Sequence, residues 1–462
     1  MSARTSADIP READLVVVGG GLAGYAAALE AANQGGEVLL FEKEAKNGGA
    51  TVLSGGSFAF AGTPLQKSLG IEDTEELLFD DLRRVGGFEN DESLVRAYVE
   101  NQRDAHDWLT QLGVRFERIF VASGQSVPRA HSRNPREVLD IVAAKAHATG
   151  RVRTYLSTPV RRLLRDDAEV YGVRVESQGH VVEISANKGV VLATGGFSRN
   201  EQLLSLFAPG QEGAQRMGGP GNTGDGLLMA WRLGASFRDM GYIKGTFGSH
   251  PSAGPEDHFI LFPIYAGAIA VNRRAERFVD ESLSYKLIGD ACLKQQDCIG
   301  YQIFDQAIFE RGRPGIPSMD FAADLAFGRV VVEPTLAALA RRLGLDPAAL
   351  EHSVRQYNRC VEQGRDEAFG RDGLCNHYGA LIKVDQPPFY AYPSKSVVLA
   401  TYCGLTVDAA MRVQDVYGCA IQKLYAAGGI IGGFHGKAYM TGTANGKATI
   451  FGRIAARTAL HR

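Results

Sequence analysis

Gly19, Gly21 and Gly24 stand at the G-x-G-x-x-G spacing, and an acid, Glu42, closes the apolar run that follows. Residues of these types in this order can bind the phosphates and a ribose of a dinucleotide. The first glycine permits a tight turn, the second lets the backbone approach a pyrophosphate, and the third lets a helix lie close on a strand. The helix N-terminus then offers free N–H groups and the positive end of its dipole. Glu42 can accept hydrogen bonds from a ribose diol. The motif needs a strand before it and a helix after it. Residues 15–18 are an apolar run long enough for a buried parallel strand, and 23–33 are rich in Ala and Leu. Gly35-Gly36 ends that stretch, and 38–41 read as a second strand. The expected fold class is α/β, with a Rossmann-like dinucleotide-binding domain.

Lys43 follows Glu42, and Gly48-Gly49 and Gly55-Gly56 then bracket a small-residue loop with Ala50, Thr51 and Ser54. Its N–H groups and hydroxyls can lie along a flat ring or a diphosphate. Residues 126–137, SVPRAHSRNPRE, hold a set of arginines, of which Arg129 and Arg133 are candidates for contact with an anionic substrate. The net charge of -2 implies no nucleic-acid partner. No apolar run approaches the roughly 20 residues of an integral membrane segment. The six cysteines show no C-x-x-C pair, and the N-terminus does not read as a secretory signal, so reduced thiols and a cytoplasmic location are expected.

The remaining elements position these residues. Residues 73–85 and 90–112 carry helical periodicity, 138–148 read as a helix, and 153–187 alternate as an antiparallel hairpin or meander would. A strand at 189–192 runs into Ala193-Thr194-Gly195-Gly196, and Asn222-Thr223-Gly224-Asp225-Gly226 precedes another helix. From 241 to 394 the glycine motifs vanish, and helices are expected at 336–343 and 346–363. The chain then returns to a strand that enters Gly428-Gly429, and it ends in a helix at about 447–460.

In this order, the fingerprint with Glu42-Lys43, G-G-x-T, S-G-G, A-T-G-G and T-G-D-G resembles the flavoprotein family of fumarate reductase, succinate dehydrogenase flavoprotein subunits and 3-ketosteroid dehydrogenases. The resemblance implies FAD, noncovalent because the loop lacks the histidine that covalent members carry. It also implies a glutathione-reductase-like FAD domain in two parts, 1–240 and 395–462, with an α+β cap (substrate) domain at 241–394. The FAD contacts that carry over are the fingerprint glycines with Glu42 and Lys43, then Gly49, Ala50, Thr51, Ser54, Gly55 and Gly56. Val160 would pass the adenine, Ala193, Thr194 and Gly195 form a second contact, and Asn222, Thr223 and Asp225 lie near the flavin. Gly428 and Gly429 would hold the ribityl chain, although many members have an acid where this chain has Gly429. Ala444 lies at the approach to the last helix, whose N-terminus would stabilise the charge of a reduced flavin.

The substrate-binding H-P of fumarate reductases is matched by His250-Pro251, and their N-R-x-x-x-R-F-V-N-E segment by residues 272–281, NRRAERFVDE. Shortly after this segment those enzymes have an arginine that donates a proton, and counting forward reaches Tyr285. Their carboxylate-binding H-G-A-N-R reads HGKAY here, so the histidine stays as His435 and the arginine becomes Tyr439. Arginine grips a carboxylate with a rigid two-pronged fork that a phenol cannot imitate. A phenol can donate to a ketone oxygen or, as phenolate, accept a proton, which is the pattern of 3-ketosteroid dehydrogenases. The expected function is therefore an FAD-dependent dehydrogenase that introduces a C=C bond alpha,beta to the ketone of a cyclic substrate. That substrate would be a 3-ketosteroid or a small oxocyclohexane-type ketone, with or without a carboxylate. Tyr439, helped by His435, would hold the carbonyl oxygen, with His250 at the substrate position. Tyr285, its pKa lowered from about 10, would take the alpha proton while a beta hydride passes to flavin N5. Oxygen or a quinone would be the external electron acceptor. The alternative is a fumarate- or urocanate-like reduction of an unsaturated carboxylate, with Arg273, Arg274 or Arg129 replacing the missing arginines.

Overall fold

The computed structural model describes residues 9–461 apart from 244, 256, 376 and 377, so the first eight residues, which bear on the expected compartment, lie outside it. β1 (Glu12–Val18) is buried on both faces from Leu15 onward, as a strand sandwiched between layers must be. α1 (Leu22–Asn33) follows at once, and its alanines let it lie close on the sheet. β2 (Val38–Phe41), β3 (Val152–Tyr155), β4 (His180–Leu192) and β5 (Ala420–Ala426) complete a parallel array in the order β5-β4-β1-β2-β3. The alternation at 153–187 resolves into Val160–Arg165 and Val170–Ser177, which pair antiparallel with each other, and the second of them also pairs antiparallel with β4.

Register is what serves function. Val18 is level with both Phe41 and Leu192, Phe41 with Tyr155, and Leu192 with Ala426. The five strands therefore end together, and the segments that leave them share one edge. Strand order reverses at β1, with β2 on one side and β4 on the other, which is where open α/β sheets bind ligands.

A second core spans much of 247–392 around the strand Phe389–Val398. That strand pairs antiparallel with Thr246–Ser249, Ile299–Asp305 and Val331–Glu333, and parallel with Gln215–Arg216. α2 (Tyr285–Leu293) packs beside it. A buried ion cluster holds the segment that leads into α2: Arg277 reaches Glu281 at 2.7 Å and Asp366 at 2.8 Å, and Arg371 reaches Glu281 at 3.2 Å. The last helix, α3 (Thr443–Leu460), begins a turn earlier than expected. Its body packs on α1, while Tyr439, just before it, belongs to the second core. The C-terminal segment thus joins the two cores.

The helices expected at 73–85 and 90–112 run Glu75–Val85 and Glu92–Leu112. The one expected from 138 starts at Pro135, because Asn134 Oδ1 accepts from Arg136 N at 2.9 Å and so caps it. The arginine-rich segment before it does not offer an anion site, which corrects the expectation for Arg129 and Arg133. Arg129 is fully buried, reaches Asp73 Oδ1 at 2.6 Å and also pairs with Asp81. Arg133 pairs with Glu117 and Glu137. A guanidinium already matched by two carboxylates has no charge left for a substrate anion. Arg129→Met would strand two buried aspartates. It is expected to cost about 3–5 kcal/mol, read as a lowered urea midpoint, with no specific loss of anion affinity.

Candidate active site

Two of the fingerprint glycines answer to the protein. Gly19 has φ +116°, and a Cβ there would stand 2.3 Å from Ala193 O at the end of β4. A Cβ on Gly24 would stand 1.9 Å from Gly19 O, so only glycine lets α1 lie this close. Gly21 is different. Its φ of -83° suits any residue, and a Cβ would meet nothing nearer than Thr51 Oγ1 at 3.6 Å. The space before Gly21 is therefore kept for something the protein does not supply. Gly55 and Gly429 face similar room, since a Cβ would meet nothing within 4 Å at Gly55 and nothing nearer than 3.5 Å at Gly429.

Around this edge the polar groups are held in place. Glu42 Oε2 accepts from Gly20 N at 2.7 Å and Oε1 from Glu44 N at 2.9 Å. Thr51 Oγ1 accepts from Leu22 N at 3.1 Å, at the N-terminus of α1. Ser54 Oγ accepts from Asn445 Nδ2 at 3.1 Å, which ties the small-residue loop to α3. Gly195 lies against Asn222, so the second and third glycine motifs touch. Lys43 Nζ pairs with Asp225 Oδ2 at 2.7 Å and with the Thr223 hydroxyl, which itself donates to Asp225 Oδ1 at 2.8 Å. These three side chains bind one another and lock the loop after β2 to the helix that begins at Asp225. Val160 is a buried core residue at the head of its strand. Thr194 Oγ1 is buried with no partner, a polar atom left for a ligand to satisfy.

The tyrosines singled out by type also meet. Tyr285 opens α2 and Tyr439 precedes α3, yet their ring centroids lie 6.2 Å apart. Tyr285 stacks on Phe262 at 5.0 Å, and its hydroxyl is 3.1 Å from Thr441 Oγ1. Tyr439 Oη accepts from Gly442 N at 3.2 Å, and the Ala444 N–H also bears on it. His435 lies 5.2 Å from the Tyr439 ring, and its buried Nε2 has no partner. His250 is elsewhere. Its Nδ1 is 2.7 Å from Ser252 Oγ and its ring rests on Tyr392.

Two members went unforeseen. Tyr402 stacks on Tyr439 at 4.5 Å and meets the edge of His435 at 4.9 Å. Lys286 Nζ stands 4.7 Å over the Tyr402 ring and donates to Thr246 Oγ1 at 2.7 Å. Nothing in the run LATYCGL marks Tyr402, and the one hint for Lys286 was its place next to Tyr285.

Burial raises the pKa of Tyr285 well above 10, and the phenols of Tyr439 and Tyr402 push it the same way. The lowered pKa expected of a base is therefore absent. Tyr402 is raised by burial and by Tyr439. Tyr439 is raised by burial too, but the N–H groups of Ala444 and Gly442 oppose this. Burial, then Lys447 and Lys286, hold His435 well below 6.5, so its imidazole is neutral. Three neutral phenols and a neutral imidazole thus line the site, with Lys286 and Lys447 close by.

Residues 14–444 match the family described as FAD binding domain. The chain belongs to this family. It is 30% identical over 449 residues to a probable fumarate reductase, Ifc3, of Shewanella frigidimarina, covering 96% of this chain and 74% of that protein. It is 31% identical over 462 residues to the NADH:fumarate oxidoreductase of Klebsiella pneumoniae, covering 98% of this chain but only 48% of that protein. Among solved structures, the 3-ketosteroid-delta4-(5alpha)-dehydrogenase of Rhodococcus jostii RHA1, in complex with 4-androstene-3,17-dione, aligns with a TM-score of 0.79 at 27% identity over 99% of each chain. The protein is accordingly an FAD-dependent oxidoreductase of the family that reduces or forms carbon–carbon double bonds.

The residues fit FAD. The room before Gly21, Gly55 and Gly429, the unpartnered Thr194 hydroxyl and the N-terminus of α1 lie on segments that leave the aligned strand ends or pack against them. Among the described residues, no helix is long and apolar enough to cross a membrane, and no group of side chains is arranged to hold a metal ion. Gly21→Ala separates ligand from fold. The new methyl has room in the protein but occupies the pyrophosphate approach. Flavin affinity is expected to fall at least about tenfold by absorbance titration, with the melting of the flavin-free protein unchanged.

Proposed function

We propose that this chain interconverts a cyclic ketone, a 3-ketosteroid or an oxocyclohexane-type ketone, and its alpha,beta-unsaturated counterpart. One observation carries the reading. Where the fumarate reductases it resembles use two arginines, this chain has two phenols that meet in one cluster, and the arginines that might have replaced them are committed elsewhere. Arg129 is paired with Asp73 and Asp81, Arg273 with Asp297 at 2.7 Å, and Arg274 with Glu276 at 2.9 Å. None of these three offers a carboxylate a free guanidinium fork, whereas a ketone oxygen needs one good donor.

The roles follow from the contacts. Tyr439 donates to the carbonyl oxygen and stabilises enolate character, with the Gly442 and Ala444 N–H groups strengthening it as a donor. His435, neutral and with a free nitrogen, supplements that contact. Tyr285, hydrogen-bonded to Thr441, exchanges the proton at the alpha carbon. Bound FAD supplies hydride exchange with the beta carbon. Because Tyr285 stays protonated at neutral pH, it is ready to give a proton and must lose one before it can take one. The residues therefore suit enone reduction at neutral pH and desaturation at alkaline pH, with oxygen or a quinone as acceptor in the second case. A second reading, reduction of an unsaturated carboxylate, draws on Lys286 at the cluster and on the fumarate-reducing relatives.

Anaerobic mixing with cyclic ketones and with succinate discriminates the two. Bleaching of the flavin band by a ketone and not by succinate is expected, and bleaching by succinate alone would overturn the ketone reading. For desaturation, kcat/KM is expected to climb about tenfold per pH unit from neutrality, because the phenolate fraction of Tyr285 does so below its raised pKa. Tyr285→Phe is expected to lower that rate by about 10²- to 10⁴-fold with flavin content unchanged.

A further inference from the structure

Lys286 is 1% exposed and follows Tyr285 directly in the chain. Its Nζ faces the ring of Tyr402 at 4.7 Å and lies farther, at 5.9 Å, from that of Tyr285. Tyr402 has φ +55°, a conformation a bulky residue adopts only when its surroundings hold it there. Here those surroundings are Lys286, the Tyr439 ring stacked at 4.5 Å and the edge of His435. The hydroxyls of Tyr402 and Tyr439 also bear on one another.

We propose that Lys286 is a positioning residue that works through Tyr402. In the line Lys286–Tyr402–Tyr439, it turns the Tyr439 hydroxyl proton toward the substrate oxygen and helps offset the negative charge that builds there. The step rests on the reading above, in which Tyr439 holds that oxygen. A phenol oxygen has two acceptor positions and one proton. The Gly442 N–H at 3.2 Å and the Ala444 N–H bear on Tyr439 Oη, so its own proton can be donated outward as long as the Tyr402 hydroxyl beside it does not draw that proton inward. A cation over the Tyr402 ring makes that hydroxyl a stronger donor, and hydrogen bonds in series reinforce one another. Lys286 also explains how a site without arginine can carry a developing oxyanion.

The titratable groups that face this line are Tyr98 and Tyr285, whose pKa values respond to Tyr439, with Tyr265 beside Tyr285 and with His435, near which Lys447 also lies. The test uses the flavin-loaded protein and the variants Lys286→Met, Lys286→Arg, Tyr402→Phe and the Lys286→Met/Tyr402→Phe double variant. Ultraviolet titration of tyrosinate is expected to move upward by about one pH unit or more in Lys286→Met and to return in Lys286→Arg. On a turned-over ketone or enone, Lys286→Met and Tyr402→Phe are each expected to lower kcat about tenfold with KM within about threefold, and the double variant to lose little more than either alone. A wild-type tyrosinate titration in Lys286→Met, or fully additive losses in the double variant, would overturn the proposal. Should no ketone or enone turn over, the titration still reads the Lys286–Tyr402 link, so failure of the substrate reading is told apart from failure of this one. If Lys286→Met does not fold, Lys286→Arg against Tyr402→Phe decides: an unshifted titration in Tyr402→Phe, beyond the loss of one tyrosine, overturns it.

Discussion

The hydrogen-bond register of β1 is the constraint on which the rest depends. Val18 is paired level with Phe41 on one side and Leu192 on the other, so the glycine turn, Glu42 and the Ala193-Thr194 segment emerge side by side. β5 ends at the same level and adds Ala427 and Gly428, since Ala426 is paired with Leu192. A slip of one residue would turn every side chain of the strand to its opposite face and separate these segments along the edge. The apolar burial of Leu15 through Val18 is what makes such a slip costly. Stability of the core and assembly of the cofactor site are thus one requirement.

The substrate side depends on a second junction. α3 lies on α1 in the first core, while Tyr439, a few residues earlier, packs into the second. This brings the N–H groups at the head of α3 to the phenol of Tyr439 and sets that phenol against Tyr285 and Tyr402. Taking so many polar rings out of water keeps them neutral, because desolvation penalises the phenolate more than the nearby donors favour it. A neutral, donor-rich pocket favours an uncharged oxygen that becomes negative during reaction over a carboxylate that is negative from the start. Lys286 supplies a nearby cation and reaches the site through a ring face.

The partners of Arg129 in the arginine-rich segment lie far from it in sequence. Arg129 reads as a free cation in SVPRAHSRNPRE, but Asp73 and Asp81 come to it from another part of the chain and bury it. His250 stands in an H-P pair, and the strand before it sets its imidazole beside Ser252 and Tyr392, neither of which the pair itself announces. Lys43, Thr223 and Asp225, which the resemblance sets at the cofactor, are also paired with one another by the fold.

The dinucleotide-binding architecture and the FAD family were legible in residue types and spacing alone. Their signals are local: a strand, a glycine turn and a helix are neighbours in sequence, and a glycine that must admit a ligand cannot be disguised. The loss of arginine at two positions, in favour of Tyr285 and Tyr439, was legible for the same reason. Which side chains join those tyrosines was decided only by tertiary packing. Tyr402 and Lys286 arrive from segments far apart in the chain, and their backbone conformation, ring stacking and burial arise when the two cores close on α3. The protonation state of the cluster was settled there too, because a phenol's pKa answers to the water and charges around it rather than to its neighbours in sequence.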